Sequence, residues 1–133
     1  MKNFTIAICI TIVTLLMLIT YELLLSRFFN NLYNDCNDVL NLLDNKASVE
    51  TSSISKKTEL KISKIVNKWN KSKKMLYYVC NHQLIEEIDK TILSIHLNID
   101  ENNKQSIYDD ISLLSFYLNK FIQNERFSIT NIF

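Results

Sequence analysis

The residues best placed for chemistry in this 133-residue chain are lysines. Eight of them fall between positions 56 and 74 against one acid, Glu59. Five, Lys57, Lys61, Lys64, Lys68 and Lys71, recur at steps of 4-3-4-3, which lines them along one helical face beside an apolar stripe. Such a row suits an anionic partner: lipid headgroups, a wall polymer or the acidic face of another protein. It is equally a solvated face pairing loosely with acids, at roughly 0–1 kcal/mol for each exposed pair. Positions 75–125 supply those acids, Glu86, Glu87, Asp89, Asp100, Glu101, Asp109, Asp110 and Glu125, against only Lys90, Lys104 and Lys120. Nucleic acid fits poorly, because the net charge is only +1 and no stacking aromatics alternate with the lysines.

Metal and nucleophile chemistry find less material. His82 and Glu86 stand four apart, and Asp109 with Asp110 would add oxygens, but no HExxH, CxxC or calcium-loop spacing accompanies them. His82 reads better as a solvated or capping residue, and His96, between Ile95 and Leu97, as the edge of an apolar stripe. No nucleophile, base and orienting group assemble from motif spacing. The chain is therefore expected to be non-enzymatic, with no cofactor and no metal. Of the three cysteines, Cys9 lies in an apolar run, while Cys36 and Cys80 fall at or beside core stripes as small hydrophobes. A Cys36–Cys80 bridge is chemically permitted outside the cytoplasm, but no spacing or framework demands it.

The elements that hold these residues are announced by what the composition lacks. The chain has no glycine and no proline, where an average one of this length carries roughly 16 of the two together. That removes glycine-rich phosphate loops, dinucleotide fingerprints, nucleophile elbows and the usual hairpin turns. With 47% hydrophobic residues at helical periods, an all-α fold remains, its turns resting on Asn, Asp and Ser.

No charged residue occurs from position 3 to 21, and residues 4–25 are nearly continuous Ile, Leu, Val, Thr and Met, interrupted by Glu22. About 20 such residues cross a hydrocarbon core at 1.5 Å each. This predicts a transmembrane signal-anchor over residues 1–25. A cleaved signal peptide has a shorter apolar run ending in small residues, whereas this one ends Glu22-Leu23-Leu24-Leu25-Ser26-Arg27, leaving Ser26 as the sole cleavage candidate. Lipidation of Cys9 fails because Ile8 precedes it and the run upstream is short. Burial as a soluble core helix demands more chain than a domain this small supplies. Lys2 and the terminal amine against Arg27 tilt the basic bias toward a cytoplasmic amino end, with residues 26–133 outside.

Beyond the span the helical period continues. Phe29, Leu32, Cys36, Val39 and Leu43 extend the first helix to about Asp44, and residues 45–53 read as a connection. A second helix carries Ile54, Thr58, Ile62, Ile65, Trp69, Leu76 and Val79 on one face, with Trp69 a core anchor. Asn81 is a plausible cap for a third, with Ile85, Ile88, Ile92, Ile95 and Ile99. Residues 100–103 then turn, and Asn102 followed by Gln105 predicts a capping box for a fourth helix, with Ile107, Ile111, Leu114, Leu118 and Phe121, closed by Asn124. These stripes pack most simply as a small antiparallel bundle, with a homotypic coiled coil as the competing arrangement.

Residues 68–74 (KWNKSKK), 82–88 (HQLIEEI) and the closing 125–133 (ERFSITNIF) resemble an uncharacterised family of short bacterial proteins, a domain of unknown function common in clostridia. The resemblance covers most of the chain and implies a membrane segment followed by helices; it transfers no activity and no site residue. Between Asn45 and Ile54 the chain departs from that pattern, with Ser and Thr where charged helix formers stand.

Two functions follow as expectations. The first is an interaction or accessory subunit of a membrane complex, a self-associating chain being permitted. Its candidate contacts are Glu22 near the end of the span and the closing Phe127, Ile129, Ile132 and Phe133, which either dock on the bundle or meet a partner. The second is an anchored sensor or binding module, holding a small ligand or using its lysine face on an anionic surface.

Overall fold

The computed structural model describes the backbone of residues 2–44 and 54–130 and the side chains of residues 4–44 and 54–124. Four helices make up the described residues: α1 (Lys2–Asp44), α2 (Lys56–Val79), α3 (His82–Asp100) and α4 (Lys104–Thr130). The connection expected over residues 45–53 lies outside the described residues, as do the side chains of Phe127, Ile129, Ile132 and Phe133.

Each boundary has a local cause. Ser55 caps α2, its backbone extended and its hydroxyl oxygen accepting from the Thr58 N–H at 3.3 Å. The helix ends at Cys80, and Asn81 caps α3 by accepting from the Leu84 N–H at 3.3 Å, as its sequence position suggests. The next turn corrects the capping box. Asn102 adopts φ 54, the left-handed conformation in which a helix commonly ends, and Asn103 is the residue that caps α4, its side-chain oxygen accepting from the Ser106 N–H at 3.1 Å. In a chain without glycine, asparagine is the residue that tolerates this geometry best. Asn124 does not close α4: the helix continues to Thr130.

The helices form an up-and-down ring in which α1 packs on α2 and α4, and α3 packs on α2 and α4, with no close backbone approach across either diagonal among the described residues. Burial follows the 3-4 stepping. Phe29, Leu32, Cys36 and Val39 of α1 are completely enclosed, with Ile62, Ile65, Trp69 and Leu76 of α2, Ile85, Ile88 and Ile95 of α3, and Ile107, Ile111, Leu114 and Leu118 of α4. Phe29 stacks on Phe121 with ring centres 3.7 Å apart, which fixes α1 against α4. Three stripe residues depart from expectation: Val79 is exposed because α2 ends there, Ile54 stands before α2 begins and is half-buried, and Ile99 is only half-buried. Asn37 and Ser115 form a polar contact across the α1–α4 seam at 3.2 Å.

Candidate functional site

One feature sets α1 apart from the other helices. From residue 4 to 24 its large apolar side chains stand exposed, Phe4, Met17, Leu18 and Leu24 among them, and of this stretch the rest of the described chain covers only Tyr21, in part. The helix is long and apolar enough to cross a membrane. Its threonines suit such surroundings: Thr11 donates its hydroxyl to the Ala7 carbonyl at 2.9 Å, Thr14 to Thr11, and Thr20 to Leu16 and Met17. No water is then needed to satisfy those hydroxyls. Without a break the same helix enters the bundle, where Tyr21 packs on the core and Leu25 is its first buried residue. Glu22 is exposed at the end of the apolar stretch.

The lysine face divides in two. Lys61 reaches Asp38 of α1 at 2.9 Å, and Lys68 pairs with Asp35 of the same helix. Lys57, Lys64 and Lys71 are exposed and make no ion pair among the described residues. Helix geometry explains the split, because residues 61 and 68 sit on the flank of α2 turned toward α1, and residues 57, 64 and 71 point outward. The acids that answer the lysines thus come from α1 as well as from the acidic half; the signal in the sequence was Asp35 and Asp38, three apart beside the apolar stripe of α1.

The remaining polar groups are mostly spent on structure. Asp89 Oδ1 accepts from the indole N–H of the enclosed Trp69 at 2.8 Å and from Lys73 Nζ at 3.3 Å. Asp110 accepts from Ser94 and from Asn98, each at 2.7 Å, and Asp109 from Gln105 at 3.0 Å. Glu86 pairs with Lys90 at 3.1 Å; that hydrogen bond, followed by the charges of Glu86 and Glu87, raises the ammonium above its ordinary range. His82 is exposed at the start of α3, and no group of three or more metal-binding side chains occurs among the described residues. His96 lies at the mouth of a shallow groove of about 360 Å³ between α2 and α3, with Asn67, Asn70, Lys73 and Asp89. Burial, with the Asp35 charge added, pushes the Cys36 thiol up to about 12. No disulfide joins Cys36 to Cys80.

The pairings also fix heights along the bundle. Phe121 stands opposite Phe29, so Asn124 falls near the level of Ser26. Asn124 in turn lines a shallow cleft with Asn81, Gln83 and Leu84 at the α2–α3 turn. That turn therefore lies near the end of the exposed apolar stretch, with the last two turns of α2 beside it. There Met75, Tyr78 and Val79 are exposed, Tyr78 by 89%. Periodicity did not single out this patch, because Val79 continues the apolar pattern of α2 and only the packing leaves it uncovered.

Residues 25–132 match a known family, the domain of unknown function DUF4363, and the chain belongs to it. The matched segment begins at Leu25, where the core begins, and takes in nearly all of the bundle. No curated protein and no solved structure matches the chain significantly.

Proposed function

We propose that this DUF4363 chain is a single-pass protein of the cell membrane, its amino end cytoplasmic and its bundle outside, serving without catalysis as an interaction or accessory subunit of a membrane complex. The carrying observation is the bare apolar stretch of α1, continuous with a helix that is core from Leu25 onward. Exposed apolar surface on that scale needs lipid or protein to cover it. An unbroken helix also ties the span rigidly to the bundle, so a partner gripping either part holds both. The deciding experiment is affinity purification from crosslinked native membranes through a carboxyl-terminal tag, followed by mass spectrometry. One stoichiometric membrane protein is the expected result, and Glu22→Gln should weaken its recovery if the carboxylate meets that partner within the bilayer. Recovery of the chain alone, or only with its own copies, would overturn the accessory role.

A second reading, an anchored module for anionic surface material, draws support from the outward lysines Lys57, Lys64 and Lys71. Its test is salt-sensitive binding of the protein to anionic wall polymer. Binding that survives replacement of these three by Gln removes the lysine face from the mechanism.

A further inference from the structure

The exposed end of α2 stands at the height where a membrane surface would be. The apolar stretch of residues 4–24, exposed except for the partly packed Tyr21 and interrupted by Glu22, measures about 31 Å along the helix, close to the ~30 Å of a hydrocarbon core, and polar headgroups extend another ~5–8 Å on each side. Taking Leu24 as the upper edge of the core, the α1–α4 and α3–α4 contacts put Tyr78 roughly 7 Å above it, and the Lys61–Asp38 and Lys68–Asp35 pairs, counted down α1 and α2, put it between about 5 Å below and 2 Å above. Tyr78 therefore falls at the boundary between hydrocarbon and headgroups. At 89% exposure its ring is left uncovered by the bundle, and Met75 beside it is 54% exposed. Tyrosine is enriched at this depth because its ring is apolar and its hydroxyl wet.

The charges agree. On a helical projection Lys71, Lys74, Met75 and Tyr78 share one outward stripe of α2, opposite the enclosed Trp69 and Leu76. Lys74 lies about 6 Å and Lys71 about 10 Å above Tyr78, within side-chain reach or one Debye length of the headgroups. Lys64 and Lys57 lie about 21 and 31 Å above it, beyond that range.

From this arrangement we propose that the lower end of α2, Tyr78 and Met75 flanked by Lys71 and Lys74, docks on the anionic phospholipid headgroups of the membrane that α1 spans. The inference rests on the spanning reading of α1. Docking gives the bundle a second point of attachment and fixes its rotation about the α1 axis, so that one chosen side faces a neighbour. The row of lysines then has two roles: its lower end meets lipid, and its upper end is left for material farther out.

The test uses the full chain reconstituted in vesicles of phosphatidylglycerol and phosphatidylcholine, or of phosphatidylcholine alone, containing chain-brominated lipids that quench tryptophan on contact. Trp69 is enclosed and serves as a constant background. Three reporters are added singly at exposed positions: Leu15→Trp within the span, Tyr78→Trp at the docking end, and Leu60→Trp on the same stripe near the far end of α2. The expected order of quenching is Leu15→Trp, then Tyr78→Trp, with Leu60→Trp at background. Adding Lys71→Gln and Lys74→Gln should lower the docked-to-lifted ratio in anionic vesicles roughly 30-fold, about five-fold for each lysine, and Lys57→Gln with Lys64→Gln should leave it unchanged. Quenching of Tyr78→Trp no greater than that of Leu60→Trp overturns the docking, as does equal quenching in the neutral and anionic vesicles. Failure of Leu15→Trp to be quenched instead overturns the span itself, so the two failures are distinguishable.

Discussion

The Asp89–Trp69 pair gives a quantitative test of how α2 is held to α3. Trp69 is completely enclosed, and its indole N–H donates to Asp89 Oδ1 at 2.8 Å, the same oxygen that Lys73 approaches at 3.3 Å. Asp89→Ala removes both interactions and leaves a donor inside the core. An unsatisfied buried donor costs about 1–3 kcal/mol. Because Asp89 lines an open groove, water can replace part of the lost bond, which places the expected loss near ~2 kcal/mol. Asp89→Asn keeps an oxygen for the indole and removes only the charge facing Lys73. The side chains of Lys73 and Asp89 are 36% and 30% exposed, so that loss stays under about 1 kcal/mol. Trp69→Phe combined with Asp89→Ala should cost about 1–2 kcal/mol less than the sum of the single changes, since neither group then misses the other. Urea titration of the detergent-solubilised chain, followed by far-ultraviolet circular dichroism, reads the four variants, Trp69→Phe alone included, against the unchanged chain. For Asp89→Ala and Asp89→Asn, the single tryptophan supplies a local signal as well. Equal stabilities for Asp89→Ala and Asp89→Asn would refute the reasoning, because the N–H bond would then contribute nothing beyond the ion pair.

Other expectations follow from the same packing. Phe121→Ala removes the ring stacked on Phe29 and should destabilise by about 3–5 kcal/mol, whereas Phe121→Leu, which keeps most of the volume, should cost clearly less in the same titration. Asn102→Gly should be close to neutral and Asn102→Ala should lower stability by about 1–2 kcal/mol, since φ 54 is costly for alanine; the Asn102 side chain also accepts from the Ile54 N–H at 3.3 Å, and equal losses in both variants would assign the effect to that bond instead. For Cys36, the folded thiol titrates near 12 against an ordinary 9.0, so the folded state keeps its proton where the unfolded chain loses it. Its contribution is complete below pH 9 and is lost as pH rises from there toward 12, by about 1.4 kcal/mol per unit at most, a slope that Cys36→Ala should lack in titrations across alkaline pH.

The sequence by itself determined the helices and most of their core. Stripes at 3-4 spacing name Phe29, Leu32, Ile62, Ile65, Ile85, Ile88, Ile111 and Leu114, all completely enclosed, because burying one face of a helix is a local demand that repeats along the chain. The Asn81 cap was legible for the same reason, its partner lying three residues on. Capping at the next turn was displaced by one residue: Asn102 and Asn103 are both asparagines, and which takes the left-handed place depends on where α3 stops against its neighbours. The length of the apolar run over residues 4–24, interrupted by Glu22, was likewise visible in the composition.

Tertiary structure alone decided which polar groups meet. That Lys61 and Lys68 are drawn to Asp38 and Asp35, while Lys57, Lys64 and Lys71 turn outward, depends on the register and rotation of α2 against α1, which no pattern within α2 records. The same holds for Asp89, whose place beneath Trp69 joins residues 20 apart in the chain. It holds too for the place of Tyr78 near the end of the span, set by the α1–α4 stack, the α3–α4 register and the α1–α2 ion pairs together. Periodicity fixes which side of each helix is apolar. How far one helix slides along another follows from packing a few large side chains such as Phe29 and Phe121, and that sliding distance places the tip of α2 beside the end of the span.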